Sequence, residues 1–134
     1  MDYPKQYRYT KEHEWVALDG ATAKIGITDF AQQQLGDIVF AELPAVGTVL
    51  HPGQAFATVE SVKAVSEVFA PVEGTVAAVN AELAQHPERL NSHPHDTWLI
   101  TATVSHPSAV NQLMDAAAYQ RFLAAQDSSD ASAH

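Results

Sequence analysis

The stretch ATVESVKAVSEVFAP, residues 57–71, sets one lysine between two short valine-rich runs. Those runs carry β-formers on both sides of a central break, the pattern of two strands joined by a tight turn. Lys63 falls near the tip of that hairpin. The chain has lysines at 5, 11, 24 and 63, so none follows this one to the C-terminus. A lysine in a turn is ordinarily just a solvated surface residue. The matched flanks set this one apart, because a hairpin tip holds its side chain away from the body, within reach of another enzyme. Glu60 and Glu67 stand on either side and favour the charged ammonium. A lysine that acts by itself as a nucleophile needs burial or cationic neighbours instead. Lys63 therefore reads as a group that foreign machinery deprotonates and acylates.

Outward from the hairpin, the chain is a series of short strands. Residues 7–18, YRYTKEHEWVAL, are rich in aromatic and β-branched residues. Asp19-Gly20 supplies a turn into ATAKIGIT, so these two runs form a hairpin. TDFAQQQL, 28–35, changes to helical character, with Thr28 or Asp29 as cap and Gly36 as stop. DIVFAEL is a strand ended by Pro44, and TVL, AFATVES, AVSEVFA and GTVAAVN follow. Residues 81–97 are polar and irregular, and WLITATV, 98–104, is a further strand. Ser108 caps a short helical turn in VNQLM, and Asp115 caps a last helix, AAAYQRFLAAQ, with Tyr119 and Phe122 one turn apart. Trp15, Trp98, Phe40 and Phe69 read as core. Short, closely spaced strands predict a sandwich or barrel. The expected organisation is a single domain over 1–126, with DSSDASAH, 127–134, as a disordered tail.

Composition narrows the function. The 134 residues carry a formal charge of −9, which disfavours a nucleic-acid surface. The charge serves solubility, or steering toward basic partner surfaces. No apolar run approaches the roughly 20 residues of a membrane helix. The start, MDYPKQYRYT, lacks the look of a signal or transit peptide. There is no cysteine, so any sulfur redox chemistry must come from an added group. No P-loop, G-x-G-x-x-G or defensible Ser-His-Asp arrangement is present. His93 and His95 alone are too few for a metal site, and a solvated loop is expected there.

ESVKAVSEVFAPVEGTV resembles the lipoyl-attachment segment of the glycine cleavage system H proteins. YTKEHEWV, GITDFAQQQLGDIVFAELPAVG, WLITATV and LMDAAAYQRFL match the same family in order and spacing, over roughly residues 7–124. The resemblance implies a mainly β fold, a flattened β-barrel or barrel-sandwich hybrid of the lipoyl-domain kind, with short helices and a C-terminal helix. It implies a carrier without catalysis of its own, bearing lipoic acid in amide linkage on Lys63. Such a carrier shuttles an aminomethyl group from the pyridoxal-phosphate glycine decarboxylase (P protein) to the aminomethyltransferase (T protein). It then presents dihydrolipoyl to the dihydrolipoyl dehydrogenase (L protein). Tethering supplies effective concentration.

A lipoate ligase or octanoyl/lipoyl transferase would recognise Glu60, Ser61, Val62 and Ala64 around the attachment site. Glu14, in the HEW segment, is expected to pair with the amine of the loaded arm. Position 12 is often a small hydroxyl residue in the family and is Glu12 here, which offers a second carboxylate. The loop NSHPHDTW also departs from the family's glycine-containing pattern. Biotin carriers place methionine on both sides of the lysine, unlike Val62 and Ala64. The alternative is a lipoyl carrier or relay serving another complex; an unmodified structural adaptor is a further class. The expected location is the bacterial cytoplasm, or the mitochondrial matrix for a processed eukaryotic chain.

Overall fold

The computed structural model describes the backbone of residues 3–132 and the side chains of 3–126. The tail expected at 127–134 lies outside the residues whose side chains are described. Among the described residues nine strands form two antiparallel sheets. In chain order they are β1 (Arg8–Tyr9), β2 (Glu14–Asp19), β3 (Thr22–Ile27), β4 (Ile38–Glu42), β5 (Val49–Leu50), β6 (Ala55–Ser61), β7 (Val65–Phe69), β8 (Gly74–Val79) and β9 (Ile100–Val104). The larger sheet runs β1-β2-β3-β9-β8-β5, and the smaller runs β4-β6-β7. The sandwich of short strands matches expectation, but the sheets do not close into a barrel. Closure requires matched strand tilt and stagger, and the outermost strands of the larger sheet, β1 and β5, are two residues each.

The main core lies between the sheets, where Val16, Ile25, Val59, Val76, Leu99 and Ile100 are almost fully buried. Alternation along the strands brings Val16, Ile25, Val59, Val76 and Ile100 to the inner faces, and Leu99 joins them from just before β9. Gly26 faces Trp15 across the β2–β3 pair, and a Cβ there would lie 2.6 Å from the indole. A second, aromatic cluster forms on the outer side of β1–β2. Tyr9 stacks on Tyr119 at 4.8 Å, and Tyr7 on Trp15 at 4.7 Å.

Helix α1 (Asp29–Leu35) follows β3 as expected. The Thr28 Oγ1 accepts from the Ala31 N–H at 3.2 Å, and Gly36 N–H closes the helix on Gln32 O. Gly36 has φ 79° and ψ −154°, a region that glycine alone adopts without strain. Helix α3 (Ala116–Ser132) is capped by Asp115, whose Oδ1 accepts from Ala118 N–H at 2.8 Å.

Several expectations are corrected. The run 7–18 is not one strand: residues 10–13 turn back between β1 and β2. Residues 81–97 hold a 3-10 turn (Ala81–Ala84) and a one-turn helix α2 (Arg89–Ser92), which bury Leu83 and Leu90. The short turn after β9 is a 3-10 helix over Pro107–Gln112 that starts at His106, not at Ser108. Phe40 is 50% exposed rather than core. It lies on β4, an edge strand of the smaller sheet, where nothing covers it. His95 is buried instead of solvated and accepts from the Asp29 N–H at 3.1 Å. The segment 91–98 ties down α1, because the Asn91 side chain bonds Gln32, Gly36 and Ile38.

Candidate functional site

Two tight turns bound the site. The first joins β6 to β7. Glu60 pairs with Val65, which leaves Ser61, Val62, Lys63 and Ala64 as the tip. Ser61 N–H donates to Ala64 O at 2.8 Å, and Ser61 Oγ accepts from Ala64 N–H at 3.0 Å. Both central residues keep negative φ, as β-branched Val62 requires. The hydroxyl bridge of Ser61 holds the turn instead of a glycine. Val62 N–H also donates to Asp37 O at 3.0 Å, which fixes the tip to the loop after α1.

Lys63 is exposed, and its stem lies over bare Gly36, whose added Cβ would sit 3.2 Å from Lys63 Cε. Around it Val62 is 76% exposed, Val65 64% and Phe40 50%, an apolar collar beside exposed Glu60 and Glu67. Of the residues expected for recognition, Glu60, Val62 and Ala64 are exposed. Ser61 is buried and commits its hydroxyl to the turn.

The second turn, 10–14, carries Glu14, which is 2% exposed. Thr10 Oγ1 donates to Glu14 Oε1 at 2.5 Å and accepts from the Glu14 N–H at 3.1 Å. Phe69 N–H donates to Glu14 Oε2 at 3.2 Å, so β7 reaches both turns. Burial pushes the Glu14 carboxyl up to about 7, against the pull of these two donors, and Glu12 adds to the rise. At neutral pH the group sits near its midpoint, which is unusual for a carboxylic acid.

A cleft of about 150 Å³ lies between α1 and β7. Apolar Ile27, Leu35, Val59 and Val68 line it, together with Glu14 and Glu67. Leu35 precedes Gly36, against which the Lys63 stem lies, and the same cleft is lined by Glu14. A second hollow of about 310 Å³ opens beyond Glu14, between Tyr9, Pro52, Phe69 and Met114. The setting is an exposed amine on the turn and a mostly apolar trough walled by Glu12, Glu14 and Glu67.

The partners of Glu14 were not legible in the sequence. Thr10 stands four residues away across the turn, and Phe69 acts through its backbone. Among the described residues no group of three or more His, Cys, Asp or Glu could hold a metal ion. No helix among them is long and apolar enough to cross a membrane.

Two small antiparallel sheets with an exposed lysine on a hairpin turn are the fold of a lipoyl-type carrier domain. The family model for the glycine cleavage H-protein matches residues 7–126. The glycine cleavage system H protein of Koribacter versatilis is 55% identical over 124 residues, covering 92% of this chain and 96% of that one. That of Acidobacterium capsulatum is 52% identical over 123 residues, with 92% and 95% covered. The crystal structure of a glycine cleavage system H protein from Mycobacterium marinum matches with a TM-score of 0.79 at 32% identity, over 87% of this chain and 95% of that one. The chain belongs to the glycine cleavage H-protein family, the lipoyl-bearing carriers of the glycine cleavage system.

Proposed function

We propose that Lys63 is the lipoyl attachment site and that Glu14 holds the cationic end of the cargo in the cleft behind it. The observation that carries this reading is an exposed lysine whose stem lies against Gly36, next in sequence to Leu35 of a cleft that a buried carboxyl, Glu14, also lines. Lipoic acid held on Lys63 would supply a reversible disulfide, which the resemblance assigns to exchange with the P, T and L proteins of the system.

This chain's residues do the holding. Ser61 and the Val62–Asp37 bond keep the attachment point fixed. Ile27, Leu35 and Val68 exclude water from the trough. An ammonium beside Glu14 favours the ionised carboxylate and draws its proton off. The pair gains strength because it is desolvated, whereas an exposed pair is worth little. Glu12 and Glu67 add negative charge at the cleft wall.

The collar of Val62, Val65 and Phe40, with Glu60 and Ala64, is where a lipoate ligase or octanoyl/lipoyl transferase and the three partner enzymes meet the arm, with Ser61 shaping the turn from below. The relatives named above are bacterial, and a cytoplasmic location is proposed with them.

Intact mass tests the attachment. Protein from a lipoate-replete host carries the lipoyl increment, and Lys63→Arg lacks it. Reconstitution with P protein and glycine tests the system. A lipoylated chain that supports no glycine decarboxylation with its cognate partner belongs to another complex. Glu14→Gln shortens the lifetime of the loaded form, and an unchanged lifetime removes Glu14 from the mechanism.

A further inference from the structure

We infer that Tyr119, on the C-terminal helix, is a positioning residue for the cleft: its hydroxyl clamps His13 in a left-handed backbone conformation that turns Glu12 and Glu14 onto one cavity. The inference rests on the reading of Glu14 given above.

Glu12 and His13, in the turn before β2, and Glu14, at its start, all line the cleft. His13, with φ 71°, is the one non-glycine residue with positive φ among the described residues. Such a conformation is strained for a residue with a Cβ and persists only where its surroundings fix it. Here the fixing groups come from two helices. His13 Nδ1 lies 2.7 Å from the Tyr119 hydroxyl. Its ring packs 4.5 Å from Phe30 and 6.0 Å from Phe122. The same phenol lies 2.8 Å from Thr28 Oγ1, the cap of α1, and Thr28 N–H donates to His13 O at 3.0 Å.

One buried hydroxyl thus joins α3, the start of α1 and the turn that aims Glu14. The proton order has two consistent forms. The phenol donates to His13 and accepts from Thr28, or it accepts from His13 and donates to Thr28. Burial lowers the His13 pKa, which favours the neutral ring that either form can use. The charged groups around Glu14 are Lys11 and Glu12 on its own turn and Glu67 from β7. Releasing the clamp lets water reach the carboxyl and removes part of its desolvation.

The test follows Glu14 itself, by carbon-13 NMR titration of the unmodified chain. Tyr119→Phe keeps the ring stack and deletes the hydroxyl. The Glu14 midpoint then falls by about one unit or more toward its ordinary value. His13→Gly, which removes the ring that the phenol holds and frees the backbone to leave the left-handed region, produces the same fall, and the double variant falls no further. In the lipoylated chain loaded by P protein and glycine, Tyr119→Phe shortens the cargo lifetime severalfold and adds nothing on top of Glu14→Gln. A Glu14 midpoint that stays put in folded Tyr119→Phe overturns the clamp, as does a lifetime loss that persists undiminished beside Glu14→Gln. The two readings fail separately, since an unchanged lifetime in Glu14→Gln alone removes the cargo role and leaves the titration result standing.

Discussion

The turns at 61–64 and 10–14 use the same device for opposite ends. In each, a buried hydroxyl residue accepts a backbone N–H at about the same distance, Ser61 from Ala64 and Thr10 from Glu14. The first turn lifts its charged residue into solvent. The second drives its charged residue into the core. The difference lies in what packs behind them. Behind Lys63 stands bare Gly36, whereas behind the 10–14 turn stand Tyr119, Phe30 and Phe122. Charge placement here is decided by the neighbouring helix ends, with turn chemistry common to both.

The largest expected effect breaks the outer turn's role outright. Lys63→Arg keeps the charge and the exposure but abolishes the lipoyl mass increment, while the thermal midpoint stays within about 1 °C because the side chain is solvated. Next comes the inner turn's dependence on pH. A carboxyl whose native pKa is raised from 4.5 to about 7 penalises the fold once ionised. Its contribution is intact below 4.5, is lost as pH rises to 7 and is flat above. Denaturation of Glu14→Gln and wild type across this window therefore shows the variant gaining roughly 2–4 kcal/mol on wild type, at about 1.36 kcal/mol per unit.

Thr10→Ala sharpens the same point. It strips a donor from the carboxylate and a partner from the Glu14 N–H, so it destabilises by about 1–3 kcal/mol and does so more at pH 8 than at pH 5. The Glu14 midpoint moves further up. The smallest thermodynamic effect is Val62→Ser at the outer tip. Stability changes by no more than about 0.5 kcal/mol, but lipoylation slows, as measured by the time course of the mass increment.

The outer turn was readable from the chain because everything that makes it is local. Matched β-formers, one lysine and Ser61 lie within a few residues. The caps of α1 and α3 were readable for the same reason, with Thr28, Gly36 and Asp115 acting on their own helices. The inner turn was not. Its strand break at 10–13 depends on a left-handed His13 whose support comes from residue 119. The burial of His95 depends on the start of α1, sixty-six residues earlier. Phe40 misled for a related reason, since an aromatic on an edge strand has no covering layer. The sandwich of short strands was legible, but the two-residue outer strands that leave its sheets open were not, because short apolar runs do not declare strand length.

The Lys63 stem resting on Gly36 has an entropic consequence. Immobilising a flexible side chain on docking costs roughly 0.5–1.5 kcal/mol. At Lys63 the outer methylenes already lie against the end of α1, next to the mouth of the trough. An arm grafted there begins its journey partly ordered, so less freedom remains to be surrendered when the cargo retreats from water.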